Sequence, residues 1–267
     1  MDGVANLRIN ANGVELNVER SGTGSPLLFL NGTGSSIAAS EPLLSRLRGL
    51  GQFVTLDHRG MGDSSSPAGP WSMGDYALDA LAVMDELGIG EFALLGISFG
   101  GMVAQELAVR SPGRIRRLVL WSTSAGGTAG SSFALDTLAE MTPAEQATMA
   151  LRLLDSRFDD EWLESHPRDR MLVEARRSDD GQSPQMIEAA LKQLEARARH
   201  DVADRLHVLR EVSVYVGAGR YDILAPPSNA EAIARLTNAA RFELYEGGHL
   251  FFFQDPQAFR DLASFLA

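Results

Sequence analysis

The sequence predicts an α/β fold, with a mainly parallel eight-stranded sheet, helices on both faces and one helical insertion. Three observations predict it. Short apolar runs of strand length alternate with stretches of helical period, the pattern of a parallel sheet covered by helices. The alternation lapses once, over residues 125–207, where amphipathic stretches follow one another without a strand pattern. Between residues 92 and 108 an apolar run passes abruptly into a helical pattern through Gly96-Ile97-Ser98-Phe99-Gly100.

The elements follow in order. Residues 7–9 and 14–20 flank Asn12-Gly13, a dipeptide suited to a two-residue hairpin, so an antiparallel pair opens the chain. Residues 27–30 read as a buried strand that ends in Asn31-Gly32-Thr33-Gly34. A helix reaching about Arg48 leads to a strand at residues 53–57, closed by His58-Arg59-Gly60-Met61-Gly62-Asp63-Ser64. Helix-period residues 73–87 return the chain to a charge-free strand at residues 92–97. Residues 100–108 then form a helix that stops at Ser111-Pro112-Gly113. Residues 118–121 are the next strand, and within the insertion residues 143–154 and 184–200 have the clearest helical period. Strands resume at 212–217 and 241–245, with helices at 229–236 and 256–266. The expected organisation is a core of residues 1–124 and 208–267, with residues 125–207 as a helical cap.

Composition narrows the function. A chain of 267 residues, 45 % hydrophobic, can bury one large core. Its formal net charge of -11 opposes a basic grip on nucleic acid or an anionic membrane surface, and neither partner is expected. Lys192 is the only lysine and no G-x-G-x-x-G occurs, so nucleotide phosphate loops are absent. Without cysteine there is no disulfide, thiolate metal site or cysteine nucleophile. No H-E-x-x-H occurs either, and neither metal nor cofactor is expected. The first residues lack a basic region followed by an apolar one, and no run of 18 apolar residues exists, so the expected location is cytoplasmic. A small-molecule substrate is the expected partner, with a homodimer left open.

A serine hydroxyl becomes a nucleophile only beside a base, and the base needs a carboxylate to orient it. Ser98 sits where a strand turns sharply into a helix. That turn strains its backbone, projects its hydroxyl and puts a helix N-terminus where an oxyanion would form. His249, just after the last strand, lies at the same sheet edge and is the expected base. Asp222, in the turn after residues 212–217, is the expected acid. His58 also follows a strand, but its Asp57 and glycine-rich turn suggest structural hydrogen bonding. His166, His200 and His207 belong to the cap or its exit, and Glu246 is expected to face solvent. The backbone N–H groups of Thr33 and Phe99 are the expected oxyanion donors. Asn31, Phe133, Trp162, Leu250 and Phe251 are expected to contact substrate. The other large apolar cap residues, Met141, Met149, Phe158, Met171 and Met186, are expected mainly to pack the cap. Arg197, Arg199 and His200 could meet a substrate carboxylate, although a solvated helix face is the simpler reading.

The chain resembles α/β-hydrolase-fold serine esterases along nearly its whole length outside the cap. Asn31–Gly34, Asp57–Ser64, Gly96–Gly101, Gly219–Asp222 and Gly247–His249 carry the resemblance. Within that group it is similar to 3-oxoadipate enol-lactonases and intracellular polyhydroxyalkanoate depolymerase-like esterases. The resemblance implies the triad order Ser98, Asp222, His249 and hydrolysis of an ester, lactone or thioester through an acyl-Ser98 intermediate. Carbon–carbon bond hydrolysis, lyase or cyclase chemistry on the same triad is the alternative, and a non-catalytic binding protein a third class. Related epoxide hydrolases and dehalogenases use an aspartate where Ser98 stands. Most relatives have His-Gly at Asn31-Gly32, so the role of that histidine side chain must be met otherwise here.

Overall fold

The computed structural model describes residues 3–177 and 183–267. Met1 and Asp2 of the N-terminal reading, and residues 178–182 of the insertion, lie outside the described residues.

Strands β1 (Ala5–Ala11) and β2 (Val14–Ser21) form the expected hairpin. Asn12 and Gly13 both have positive φ, 51° and 75°, as a two-residue turn matched to strand twist requires. β3 (Pro26–Leu30), β4 (Gln52–Leu56), β5 (Phe92–Ile97), β6 (Ile115–Trp121), β7 (Ser213–Gly219) and β8 (Arg241–Tyr245) complete the eight-stranded sheet. The order is β1-β2-β4-β3-β5-β6-β7-β8, antiparallel through β2–β4 and parallel from there on. The central strands are apolar on both sides because helices cover both faces.

Alternate residues of the central strands feed two separate cores. On one face Leu28, Val54, Leu94, Leu118 and Val216 pack beneath α2 (Met73–Glu86), α3 (Phe99–Arg110) and α8 (Pro227–Thr237). On the other, Leu27, Phe29, Leu95, Val119 and Tyr215 pack beneath α1 (Glu41–Leu47) and the C-terminal α9 (Phe251–Gln254) and α10 (Gln257–Leu266). The helix expected to reach Arg48 is a 3-10 turn, then α1. α2 starts at a capping box in which the Ser72 hydroxyl accepts from Asp75 N–H and Asp75 accepts from Ser72 N–H.

Between β6 and β7 the described residues contain helices and turns but no strand. These are α4 (Pro143–Leu154), α5 (Asp160–Ser165), α6 (Pro167–Arg177) and α7 (Pro184–Ala198). α4 begins at Thr142 with a second capping box and Pro143 at its first turn. Phe158, Leu163 and Val173 give this segment a small core of its own. It is also stitched to the sheet edge. Ser156 N–H donates to Tyr221 O at 2.9 Å and His249 N–H to Leu154 O at 2.6 Å, on the loops after β7 and β8.

Candidate active site

Packing dictates the glycines around Ser98. A side chain on Gly96 would meet the backbone of Gly100 and Gly101, and one on Gly100 would meet the Leu30 carbonyl, so strand and helix could not close on each other. Ser98 between them has φ 54° and ψ -118°, a strained conformation for a non-glycine residue. It is locked at both backbone ends. Ser98 N–H donates to Trp121 O at 2.9 Å, and its carbonyl accepts from Thr123 Oγ1 at 2.8 Å as well as from Gly101 N–H.

Three expected site residues, far apart in sequence, meet here. Ser98 Oγ lies 3.0 Å from His249 Nε2, and His249 Nδ1 lies 2.8 Å from Asp222 Oδ2. Asp222 and His249 are buried while Ser98 is partly open. An ionised carboxylate can only accept, so Nδ1 carries the ring proton and donates to Asp222. Nε2 is then left to accept from the Ser98 hydroxyl. Each partner is held in turn. The second oxygen of Asp222 accepts from Ala225 N–H at 2.8 Å, and the His249 carbonyl accepts from Ser122 Oγ at 2.8 Å. Neither Ser122 nor Thr123 is among the residues that the sequence singles out. A run of hydroxyl residues ending a central strand is the signal that would have found them.

The loop after β3 packs against the serine, since a side chain on Gly32 would sit 3.7 Å from Ser98 Cβ. Asn31 Oδ1 accepts from Gly32 N–H at 2.9 Å and its Nδ2 donates to Ser40 Oγ, so this asparagine braces the loop from within. Neither Thr33 N–H nor Phe99 N–H has an acceptor among the described residues. Thr33 lines the cavity above Ser98, whereas the Phe99 ring is buried edge-on against His58 and Tyr76.

That cavity, about 1410 Å³, is roofed by the segment between β6 and β7. Asn31 and Leu250 line it. Phe133, Trp162 and Phe251 do not. Phe251 begins α9 facing inward, fully buried and stacked on Tyr245 at 4.8 Å, while Phe252 and Phe253 take the wall. Trp162 stays inside the insertion, stacking on His166 at 3.7 Å and donating from Nε1 to Asp169 Oδ2 at 2.8 Å. Phe133 contributes backbone, its N–H donating to Leu224 O and its carbonyl accepting from Arg197 Nη2, and Leu135 takes the wall in its place. Met171 lines the cavity, Phe158 packs the insertion and Met186 packs against the main core. Met141 and Met149 border a separate small cavity.

Of the basic trio at the end of α7, only Arg197 reaches the main cavity. Arg199 is exposed beside Glu195, and His200 is buried, with burial pushing it down to about 4. Glu246 faces solvent between Arg157 and Arg220. Among the described residues no group of three His, Asp or Glu side chains could hold a metal ion, and no helix is long and apolar enough to cross a membrane.

The chain is 30 % identical over 241 residues to the Caulobacter segnis protein RutD, named for carbamate hydrolysis, covering 88 % of each chain. It is 26 % identical over 234 residues to 3-oxoadipate enol-lactonase 2 of Acinetobacter baylyi, covering 87 % of this chain and 85 % of that one. A hydrolase from Pseudomonas aeruginosa PA01 superposes with a TM-score of 0.78 at 28 % identity, over 99 % of this chain and 98 % of that one. The model of the alpha/beta hydrolase fold family matches residues 25–256. The match runs from the start of β3 to just past α9, over six of the eight strands and the sharp serine turn described above, and the chain belongs to the alpha/beta hydrolase fold family.

Proposed function

We propose that the protein hydrolyses a carboxylic ester, lactone or thioester of a small metabolite through an acyl-Ser98 intermediate. The observation that carries this reading is the hydrogen-bonded chain Ser98–His249–Asp222, with links of 3.0 and 2.8 Å, at the floor of a roofed cavity.

The chemistry follows from those contacts. As Ser98 Oγ attacks the acyl carbon, its proton passes to His249 Nε2, and Asp222 stabilises the imidazolium through Nδ1. The carbonyl oxygen becomes an oxyanion, received by the otherwise unengaged N–H groups of Thr33 and Phe99 at the start of α3. The tetrahedral intermediate collapses, the bond to the leaving group breaks, and His249 returns the proton to that group. Water then repeats the sequence, with His249 as base, and releases the acid and free Ser98. Carbamates and enol-lactones, the compounds in the relatives' names, share the feature this machinery needs, an acyl carbon bonded to a heteroatom. Residues 125–207 act as the cap that selects the substrate. A cytoplasmic location and the absence of nucleic-acid or membrane partners belong to the same reading.

A panel of short acyl esters, lactones, thioesters and carbamates, run with wild type and Ser98→Ala, tests the proposal. Turnover of at least one class by wild type and none by the variant is expected. Full activity in Ser98→Ala would overturn it. Turnover only of substrates cleaved at a carbon–carbon bond would replace it with that chemistry.

A further inference from the structure

α7 buries a narrow face made of Ala189, Gln193 and Ala196, spaced one and two turns apart. The alanines let the helix lie close to the core. The glutamine is out of place by the same logic, since an amide taken out of water is unfavourable unless it is hydrogen-bonded. Gln193 has no exposed surface, and its Nε2 has no partner among the described residues. Its Oε1 accepts from Gly34 N–H at 2.8 Å, across 159 positions of sequence. The hydrogen bond of this buried side chain therefore ends on the loop after β3.

That loop is gripped from both sides. Asn31 braces its start through Gly32 N–H and Ser40, and Gln193 grips its end at Gly34, a left-handed residue with φ 71°. Thr33 lies between the two anchors. With glycines at 32 and 34 the turn is closed from within by the long Ser35 N–H to Gly32 O bond, 3.3 Å, which leaves the orientation of the Thr33 peptide to its anchors. Gln193 does not line the cavity, so it acts through the loop.

We propose that Gln193 is a positioning residue that fixes the Thr33 N–H toward the oxyanion, so that transition-state stabilisation depends on α7 being seated on the sheet edge. The inference rests on the oxyanion role proposed above for Thr33. An insertion that selects substrate would then also complete the catalytic machinery, and an unseated α7 would leave the serine intact but slow.

The test compares Gln193→Met, which keeps the length and removes the acceptor, with Gln193→Glu, which keeps an acceptor oxygen. Complete loss of an oxyanion donor lowers kcat by about 10²–10³-fold, and a loosened one is expected to cost about tenfold with KM held within about twofold. A trifluoromethyl ketone, which adds to the serine as a tetrahedral oxyanion, should bind Gln193→Met weaker by the same factor as kcat/KM falls. Affinity for the product acid should stay unchanged, and Gln193→Glu should recover most of kcat. Wild-type kcat and ketone affinity in a folded Gln193→Met overturn the proposal, as does equal weakening of ketone and product. If Gln193→Met does not fold, hydrogen exchange at Gly34 in wild type decides, where strong protection supports the anchor and exchange at the rate of an open loop refutes it. Ser98→Ala separates the two levels. Full activity there removes the site itself, whereas Ser98-dependent activity indifferent to Gln193→Met removes only this inference.

Discussion

The loops after β4 and β8 each place a histidine at the same edge of the sheet, and burial does not distinguish them. His58 is 1 % exposed and His249 5 %. Their neighbours do. His249 has a carboxylate at one ring nitrogen and the Ser98 hydroxyl at the other. His58 has only the Asn31 carbonyl 3.3 Å from Nε2, no partner for Nδ1 among the described residues, and aromatic rings of Tyr76 and Phe99 edge-on at 5.6 Å. Burial, with the Arg59 charge adding to it, pushes His58 down to about 4. A base must hold a proton during turnover, and in a buried site only an adjacent anion makes that state accessible. The carboxylates of the two loops differ in the same way. Asp222 faces a histidine, whereas Asp57 accepts from Asn17 Nδ2, Ile37 N–H and Asp63 N–H and so pins three segments together. One loop reads as chemistry and the other as scaffold.

Substitutions that exchange the two roles would break this contrast. The largest effect is expected for His249→Ala, a loss of order 10⁶-fold in kcat with the fold retained, measured by steady-state turnover of whichever ester wild type accepts. Asp222→Asn should cost about 10⁴-fold, because an amide can hold the ring in the wrong tautomer, and a pH–rate profile would show it as lost kcat across the whole range.

His58→Phe should instead leave turnover within about tenfold and change the response of stability to acid. The neutral ring is favoured in the fold, so the unfolded chain takes up the proton first, near its ordinary value of 6.5. Stability then falls as pH drops from about 6.5 to about 4, where the folded ring also titrates. The window is worth of order 3 kcal/mol for such a shift. His200, likewise pushed down to about 4, adds a second fall of the same sign. Denaturant midpoints between these pH values should show a shallower decline in His58→Phe, and an unchanged one would place the proton elsewhere.

The smallest effects concern the cavity wall and the segment that roofs it. Phe253→Ala, on the cavity wall, should raise KM a few-fold for the longest acyl chains, roughly what one or two lost apolar contacts supply. Trp162→Ala should lower the denaturant midpoint by about 1–3 kcal/mol equivalent while leaving the substrate ranking alone, because that ring packs the insertion rather than the cavity.

The same contrast explains what could be read in advance. Strands buried on both faces leave uninterrupted apolar runs, and residues that directly follow such runs must share one sheet edge. Ser98, Asp222 and His249 all follow strands, as does Thr33, and their meeting was legible for that reason. An apolar residue gives the same local signal whether it faces a cavity or a core, so the sequence does not tell Leu250, which lines the cavity, from Trp162 and Phe251, which do not. The contact between Gln193 and Gly34 has no local signature, because nothing within either segment encodes a partner 159 positions away. Asn31, a departure from the usual histidine, resolved into a brace formed by its own side chain with Gly32 and Ser40.

The central claim is that Ser98 carries the acyl group. Labelling the folded protein with a fluorophosphonate and mapping the adduct by peptide mass spectrometry tests it most directly. One adduct is expected, on Ser98, formed rapidly in wild type and almost abolished in His249→Ala. An unmodified Ser98, or an adduct formed at the same rate without His249, would contradict it.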